Sequence, residues 1–196
     1  TSPRGKIYQK YVKNTERDLE KLSARYLKPE LVETGSGVNL VDFDQDAEDR
    51  IVASLLYKYS TVGYGQIKET VRGLTPKERV AIIKKVVSRR GVRQHRLVRA
   101  FENTYYKFDI VANVGAYRDL HRHRMLTQER QRFTTELGFD VPPELVGAKM
   151  DREYVDAASK IGEFYKKISA KFPDAAQYVV LNGHRVRWYQ WENLRE

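Results

Sequence analysis

Between Arg118 and Arg132 the chain gathers five arginines and two histidines: Arg118-Asp-Leu-His-Arg122-His123-Arg124-Met-Leu-Thr-Gln-Glu129-Arg130-Gln-Arg132. A guanidinium presents a planar fork of donors that matches phosphate oxygens two at a time, and it stays charged at any physiological pH. The cluster is therefore a candidate phosphate site. The phosphate can belong to a cofactor, a nucleotide substrate or a nucleic-acid backbone. His121 and His123, with His95, could also bind a metal. Neighbouring arginines repel a cation, however, and no carboxylate is spaced to join the histidines in one site. Satisfied surface histidines, or histidines hydrogen-bonded to an anion or an aromatic ring system, are expected instead. Asp109 and Asp119 are a conceivable carboxylate pair, against which stands simple ion pairing with nearby arginines. Trp188, Tyr189 and Trp191 can stack on bases or on a flavin, or fill a core.

The charge is local. The formal net charge is +10, and the run Lys84 to Arg99 supplies +7 with no acid while Arg118 to Arg132 supplies +3, which leaves the remainder neutral. A local excess focuses anions into one region, whereas a run without convergent geometry is a solvated helix face. The Lys84 to Arg99 run thus keeps two readings open, including a salt-sensitive nucleic-acid surface. There is no cysteine, so disulfides, thiolate metal sites and cysteine nucleophiles are excluded. Walker A, dinucleotide-type Gly-x-Gly-x-x-Gly and nucleophile-elbow motifs are absent, and any cofactor must be held by side chains. No apolar run approaches the roughly 20 residues of a membrane-spanning helix, so a cytoplasmic protein is expected.

The elements that must position these residues can be read from periodicity. Tyr8, Tyr11, Thr15, Leu19, Leu22 and Tyr26 recur at spacings of three and four, which predicts a helix over 7–26 with a narrow apolar seam. Pro29 and Gly35-Ser-Gly37 predict a link after it. Val38 to Phe43 reads as a strand. A helix follows from about Asp46, with Asp46 as cap, to Tyr59. Thr75-Pro76-Lys-Glu78 has the form of a capping box opening a helix that ends by Gly91. Tyr106, Phe108 and Ile110 alternate as on a strand. From Asn113 a helix is expected to carry Arg118 and Arg122 on one face. Asp151 to Lys171 is a further helix, and His184 to Trp191 a further strand. Asn193 then reads as the cap of an incomplete helix. The expected division is an N-terminal helix and linker over 1–36 and a compact domain over 37–196.

Asn113-Val-Gly-Ala-Tyr-Arg-Asp-Leu-His-Arg122-His123-Arg124, preceded by the strand Tyr106 to Ile110, resembles the signature region of the flavin-dependent thymidylate synthases, the ThyX family. The closing stretch from Ala176 through Trp191 to Asn193-Leu-Arg195 is similar to that family's later motif, a short helix and strand leading to Asn-x-Arg. The resemblance covers residues 37 to 196. It implies an α/β (α+β) fold, a ThyX-like mixed sheet flanked by helices, here with an N-terminal helical extension. It also implies FAD held by Arg122, His123, Arg124, Glu129, Asn193 and Arg195, with Arg130 and Arg132 toward a nucleotide. The implied reaction methylates deoxyuridylate from methylenetetrahydrofolate, with NADPH-reduced flavin, in a homotetramer whose flavin sites lie between subunits. The flavin does the redox work and the protein supplies orientation and electrostatics.

Departures from the family pattern fall on the nucleotide side. Without a gap, the motif serine is Arg132, its Asn-Glu pair is Glu129-Arg130, and the downstream phosphate-clamping arginine is Thr134. A two-residue deletion instead restores Glu129 and makes Arg132 the clamp. Gln177 stands for a family arginine, Asp119 for a glutamine and Asn103 for a histidine. Each lost partner in a buried nucleotide pocket typically costs about 1–3 kcal/mol. The sequence therefore allows an active member with a rearranged pocket, a member with a degenerate pocket, a non-catalytic oligomer subunit, or one half of a duplicated ThyX-like chain.

Overall fold

A computed structural model describes residues 2–27 and 35–196, and the chain divides into two units, 1–33 and 34–196. The first holds helix α1 (Pro3–Tyr26), which starts ahead of the expected Ile7 because Ser2 caps it and Pro3 occupies its first turn. The Ser2 hydroxyl accepts from the Gly5 amide at 3.2 Å, satisfying one of the free donors of the first turn. Tyr8, Tyr11, Leu19, Leu22 and Tyr26 are all exposed on α1. The link expected at Pro29 lies outside the described residues.

The second unit is built on a four-stranded sheet in the order β1-β2-β4-β3, from β1 (Gly37–Phe43), β2 (Tyr106–Asn113), β3 (Thr127–Arg130) and β4 (Arg185–Glu192). It has the expected mixed α/β architecture. Every strand pair is antiparallel, so the mixing lies between helices and strands rather than in strand direction. Successive strand side chains face opposite ways, and β4 accordingly buries Val186, Trp188 and Gln190 while Tyr189 and Trp191 stay exposed. The aromatic trio is thus split. Trp188 is 1% exposed and belongs to a core with Ile110, Val186, and Val114 and Tyr117 of α5 (Val114–Leu120). Burying side chains of this size stabilises by about 1.5–3 kcal/mol each, and this face therefore fixes the register Ile110↔Trp188 and Ala112↔Val186.

Helices α2 (Ala47–Tyr57), α3 (Tyr64–Arg72) and α4 (Pro76–Val87) form a second cluster around Val52, Ala53, Ile67 and Val71. The Thr75 capping box forms as expected: the Glu78 amide donates to the Thr75 hydroxyl at 3.3 Å, and the Thr75 amide to the Glu78 carboxylate at 2.8 Å. Asp46 precedes α2 but makes no capping hydrogen bond. Its carboxylate pairs instead with Arg50 at 2.7 Å and Lys68 at 3.7 Å. Helix α3 has no counterpart in the sequence expectations, since only Ile67 and Val71 mark its inner face. The short α6 (Pro143–Gly147), the long α7 (Asp151–Ser169) and the short α8 (Pro173–Ala176) complete the unit. Among the described residues no helix is long and apolar enough to cross a membrane.

Candidate functional site at one end of the sheet

Strand pairing decides which motifs meet. Phe43 pairs with Tyr106, Tyr106 with Glu192 and Thr127 with Trp191, so the end of β1, the start of β2, the end of β4 and the start of β3 share one end of the sheet. The Arg122-His123-Arg124 loop leads into β3, and Asn193 and Arg195 leave β4, at that same end. A cleft of about 340 Å³ opens there, with Glu102, Thr104, Tyr105, Met125, Trp191 and Asn193 among its lining.

Asn113 caps α5, its side-chain oxygen accepting from the Ala116 amide at 2.9 Å. The helix then stops at Leu120, earlier than the shared helical face expected for Arg118 and Arg122. Arg122 instead lies in a turn beyond the cap, where its amide donates to the Asp119 carbonyl at 3.3 Å and the His123 amide to the Leu120 carbonyl at 3.0 Å. The reason is local: the next residues must bend to enter β3. The turn leaves Arg122, His123 and Arg124 exposed. Arg122 sits 3.8 Å from Asp119, both side chains more than three-quarters exposed, a pair worth close to nothing in water. Asp109 similarly faces Arg187 at 3.8 Å, so both aspartates have the ion-pairing role rather than forming a carboxylate pair.

Asn193 lines the cleft where the chain leaves β4, and Arg195 follows it. The Asn193 side-chain oxygen accepts from the amides of Arg195 (3.0 Å) and Glu196 (3.1 Å), the geometry of a cap. Arg195 donates through Nε to the Leu97 carbonyl at 2.9 Å and pairs through its guanidinium with Glu102. Burial works against the Glu102 charge, but hydrogen bonds from Arg99 and Arg195 outweigh it and hold the carboxyl below its usual range. Tyr105, whose hydroxyl donates to Asp42 at 3.2 Å, is pushed up by burial and by that carboxylate. Beside it, the buried Asp44 accepts from the Tyr105 amide at 3.1 Å and pairs with Arg50 at 2.9 Å. Thr104 is 2% exposed and its hydroxyl has no hydrogen-bond partner, an unusual state for a buried polar group lining a cleft. Nothing in the sequence pattern distinguishes Thr104, Asp44 or Glu102 from ordinary polar residues.

The remaining candidates do not line this cleft. Glu129 and Arg130 are adjacent on β3 and face opposite sides of the sheet: Glu129 is exposed opposite Tyr189, and Arg130 lies opposite Trp188. Arg130 is three residues further along the strand than Thr127, about 10 Å at strand rise. Its guanidinium covers the Phe133 ring at 3.9 Å and reaches the Gln177 side-chain oxygen at 3.5 Å. Arg132 pairs with Asp174 at 3.2 Å.

The family model described as thymidylate synthase complementing protein matches residues 39–196. The chain belongs to that family. Members related to it include proteins described as UPF0159 from Chlamydia muridarum, 36% identical over 177 residues, and from Thermoplasma acidophilum, 32% identical over 165 residues. The alignments cover 90% and 81% of this chain but 34% and 32% of those proteins, so the chain spans about a third of the length of the curated relatives it matches. Among solved structures, a UMP/dUMP methylase, PolB, from Streptomyces cacaoi bound with 5-Br dUMP superimposes with a TM-score of 0.58 at 18% identity. That match covers 81% of this chain and 73% of PolB, a likeness of fold.

Proposed function

We propose that the chain is an FAD-binding, ThyX-like domain for nucleotide methylation, with deoxyuridylate as substrate, methylenetetrahydrofolate as carbon donor and NADPH as reductant. The observation that carries this reading is that strand pairing brings the turn Arg122-His123-Arg124 and the segment Asn193 to Arg195 to the same sheet end as a cleft lined by Asn193 and by Thr104, whose hydroxyl is unpartnered. The residues fit the cofactor. Two guanidinium groups and an imidazole on an exposed turn suit its pyrophosphate, and a buried hydroxyl without a partner suits a polar ligand edge. Bound flavin would supply the hydride chemistry. Arg122, His123 and Arg124 hold phosphate oxygens, while Asn193 lines the cleft and is held by its own cap. Arg195, already committed to Glu102 and Leu97, holds the loop before β2 in place. Glu129, which the resemblance also assigns to the flavin, lies on the exposed sheet face outside this cleft.

A homotetramer with sites between subunits would cover the outer edge of β1, the end strand of the sheet among the described residues, whose Val38, Leu40 and Val41 are 48–65% exposed. A cytoplasmic location fits cofactors of this kind. The length of the relatives is compatible with the domain being one half of a duplicated ThyX-like protein, with catalysis left to the other half. A second reading, FAD binding with a degenerate nucleotide pocket, is favoured by one specific observation. Arg130 and Arg132, the residues assigned to the nucleotide, are engaged by Gln177 and Asp174.

The deciding experiment is a visible spectrum of the purified protein followed by a deoxyuridylate titration. A flavin band perturbed by deoxyuridylate supports the first reading; an unperturbed band supports the second. A protein that neither carries nor takes up flavin would sink both.

A further inference from the structure

The basic run Lys84 to Arg99 is not used by the sheet-end cleft, and its shape separates the two readings its sequence left open. Behind α4 the chain folds back on itself. The Arg89 amide donates to the Val86 carbonyl at 3.3 Å, the Arg90 amide to Val87 at 2.9 Å and the His95 amide to Val92 at 3.1 Å. The Gly91 amide then donates to His95 Nδ1 at 3.1 Å and closes the loop. The product is a cavity of about 400 Å³ whose lining includes Lys85, Arg89, Arg90, His95 and Arg96.

Four cationic side chains therefore converge on one concavity. None of the ion pairs found among the described residues involves Lys85, Arg89, Arg90 or Arg96. The hydrogen bond from Arg90 goes to a neutral acceptor, the Arg93 carbonyl at 3.2 Å. Like charges gathered without a counter-ion repel one another, and a concave wall focuses their field on whatever anion enters. With Nδ1 accepting from the Gly91 amide, Nε2 is left as the ring's donor. A solvated helix face would spread its charges outward; this loop turns them toward a common space.

We propose that this cavity is a second anion site, which takes the polyphosphate group of a small molecule. Guanidinium forks suit phosphoryl oxygens, and four positive charges match a di- or triphosphate better than a single carboxylate. The cavity gathers its charge in one hollow, whereas a nucleic-acid backbone needs a track of contacts along its length. Leu97 lines the cavity, and its carbonyl accepts from Arg195 Nε. The assignment stands on the loop geometry and is independent of flavin binding.

The test is calorimetric titration of the protein with sodium tripolyphosphate at low salt, compared with an Arg89→Ala/Arg96→Ala variant and an Arg122→Ala/Arg124→Ala variant. All four arginines are exposed, so both variants keep the fold. The expected result is a saturable site that weakens at least tenfold in the first variant and persists in the second, whose turn is a separate phosphate site. No binding by the unmodified protein, equal binding by the first variant, or loss confined to the second would overturn the assignment. Tighter binding of a single-stranded oligonucleotide than of tripolyphosphate, falling steeply with salt, would overturn it in favour of a nucleic-acid surface.

Discussion

Gln177 is a small residue position with two consequences of opposite sign. Its side-chain oxygen accepts from the Phe133 amide at 3.1 Å and from Arg130 at 3.5 Å. Phe133 is thereby pinned between the Arg130 guanidinium and the Tyr117 ring, whose centroid lies 6.3 Å away. Gln177→Leu keeps most of the side-chain volume and removes both bonds. The neutral bond contributes about 1 kcal/mol, and the Arg130 contact, at the limit of hydrogen-bond length, about 0.5. The expected loss is about 1–2 kcal/mol. Gln177→Glu keeps the acceptor and adds charge, which strengthens both bonds and gains about 0.5–1 kcal/mol. In urea unfolding, with a slope of about 2 kcal/mol/M, the midpoint should fall by about 0.5–1 M in the leucine variant and rise slightly in the glutamate variant. On the proposed reading, deoxyuridylate affinity should move the other way, because leucine releases Arg130 and glutamate neutralises it. A leucine variant as stable as the parent, or a glutamate variant less stable than it, would refute this account of Arg130.

Gly183 admits no side chain: a Cβ there would collide with the Tyr154 hydroxyl and lie 3.3 Å from the Asp140 carbonyl oxygen. Gly183→Ala should destabilise by about 1–3 kcal/mol through overpacking, lowering Tm by roughly 2–4 °C per kcal/mol, with partial rescue by Tyr154→Phe. The His184 ring is 1% exposed, and burial pushes its pKa below the ordinary value. The unfolded chain then binds the proton first, so this contribution is whole above about pH 6.5 and declines below it by up to about 1.4 kcal/mol per pH unit, until the folded pKa is passed. Unfolding free energies from pH 7.5 to 5 should show a shallower decline in His184→Asn than in the parent. Thr75→Ala removes the cap of α4 and should cost about 0.5–2 kcal/mol by the same measurement.

Much of the frame was legible because it rests on local chemistry. Thr75 with Pro76 and Glu78 carries a complete helix start, and Val186, Trp188 and Gln190 carry the period of a half-buried strand. Residues 118–132 were harder. Their helix-like spacing does not reveal that Arg122 follows a turn or that Thr127 to Arg130 forms β3, since that strand is four residues long and exists by pairing with β4. Asp46 is a good capping residue that Arg50 and Lys68 draw into ion pairs, a competition decided by tertiary position. The Arg122-His123-Arg124 and Asn193-Leu-Arg195 motifs were legible as patterns of residue types. The cleft beside it was not, because Thr104, Glu102 and Asp44 acquire meaning only when the sheet end brings them beside Trp191 and Asn193.

The claim on which the functional account depends is that the turn Arg122-His123-Arg124 holds the flavin. Its most direct test is an FAD titration, followed by flavin fluorescence, of the parent protein and of Arg122→Ala/Arg124→Ala. Loss of two charge-assisted hydrogen-bonding groups from an exposed turn leaves the fold intact and should weaken FAD at least tenfold. Saturable binding by the parent with that loss in the variant is the predicted result; equal affinity in the two proteins would contradict the account.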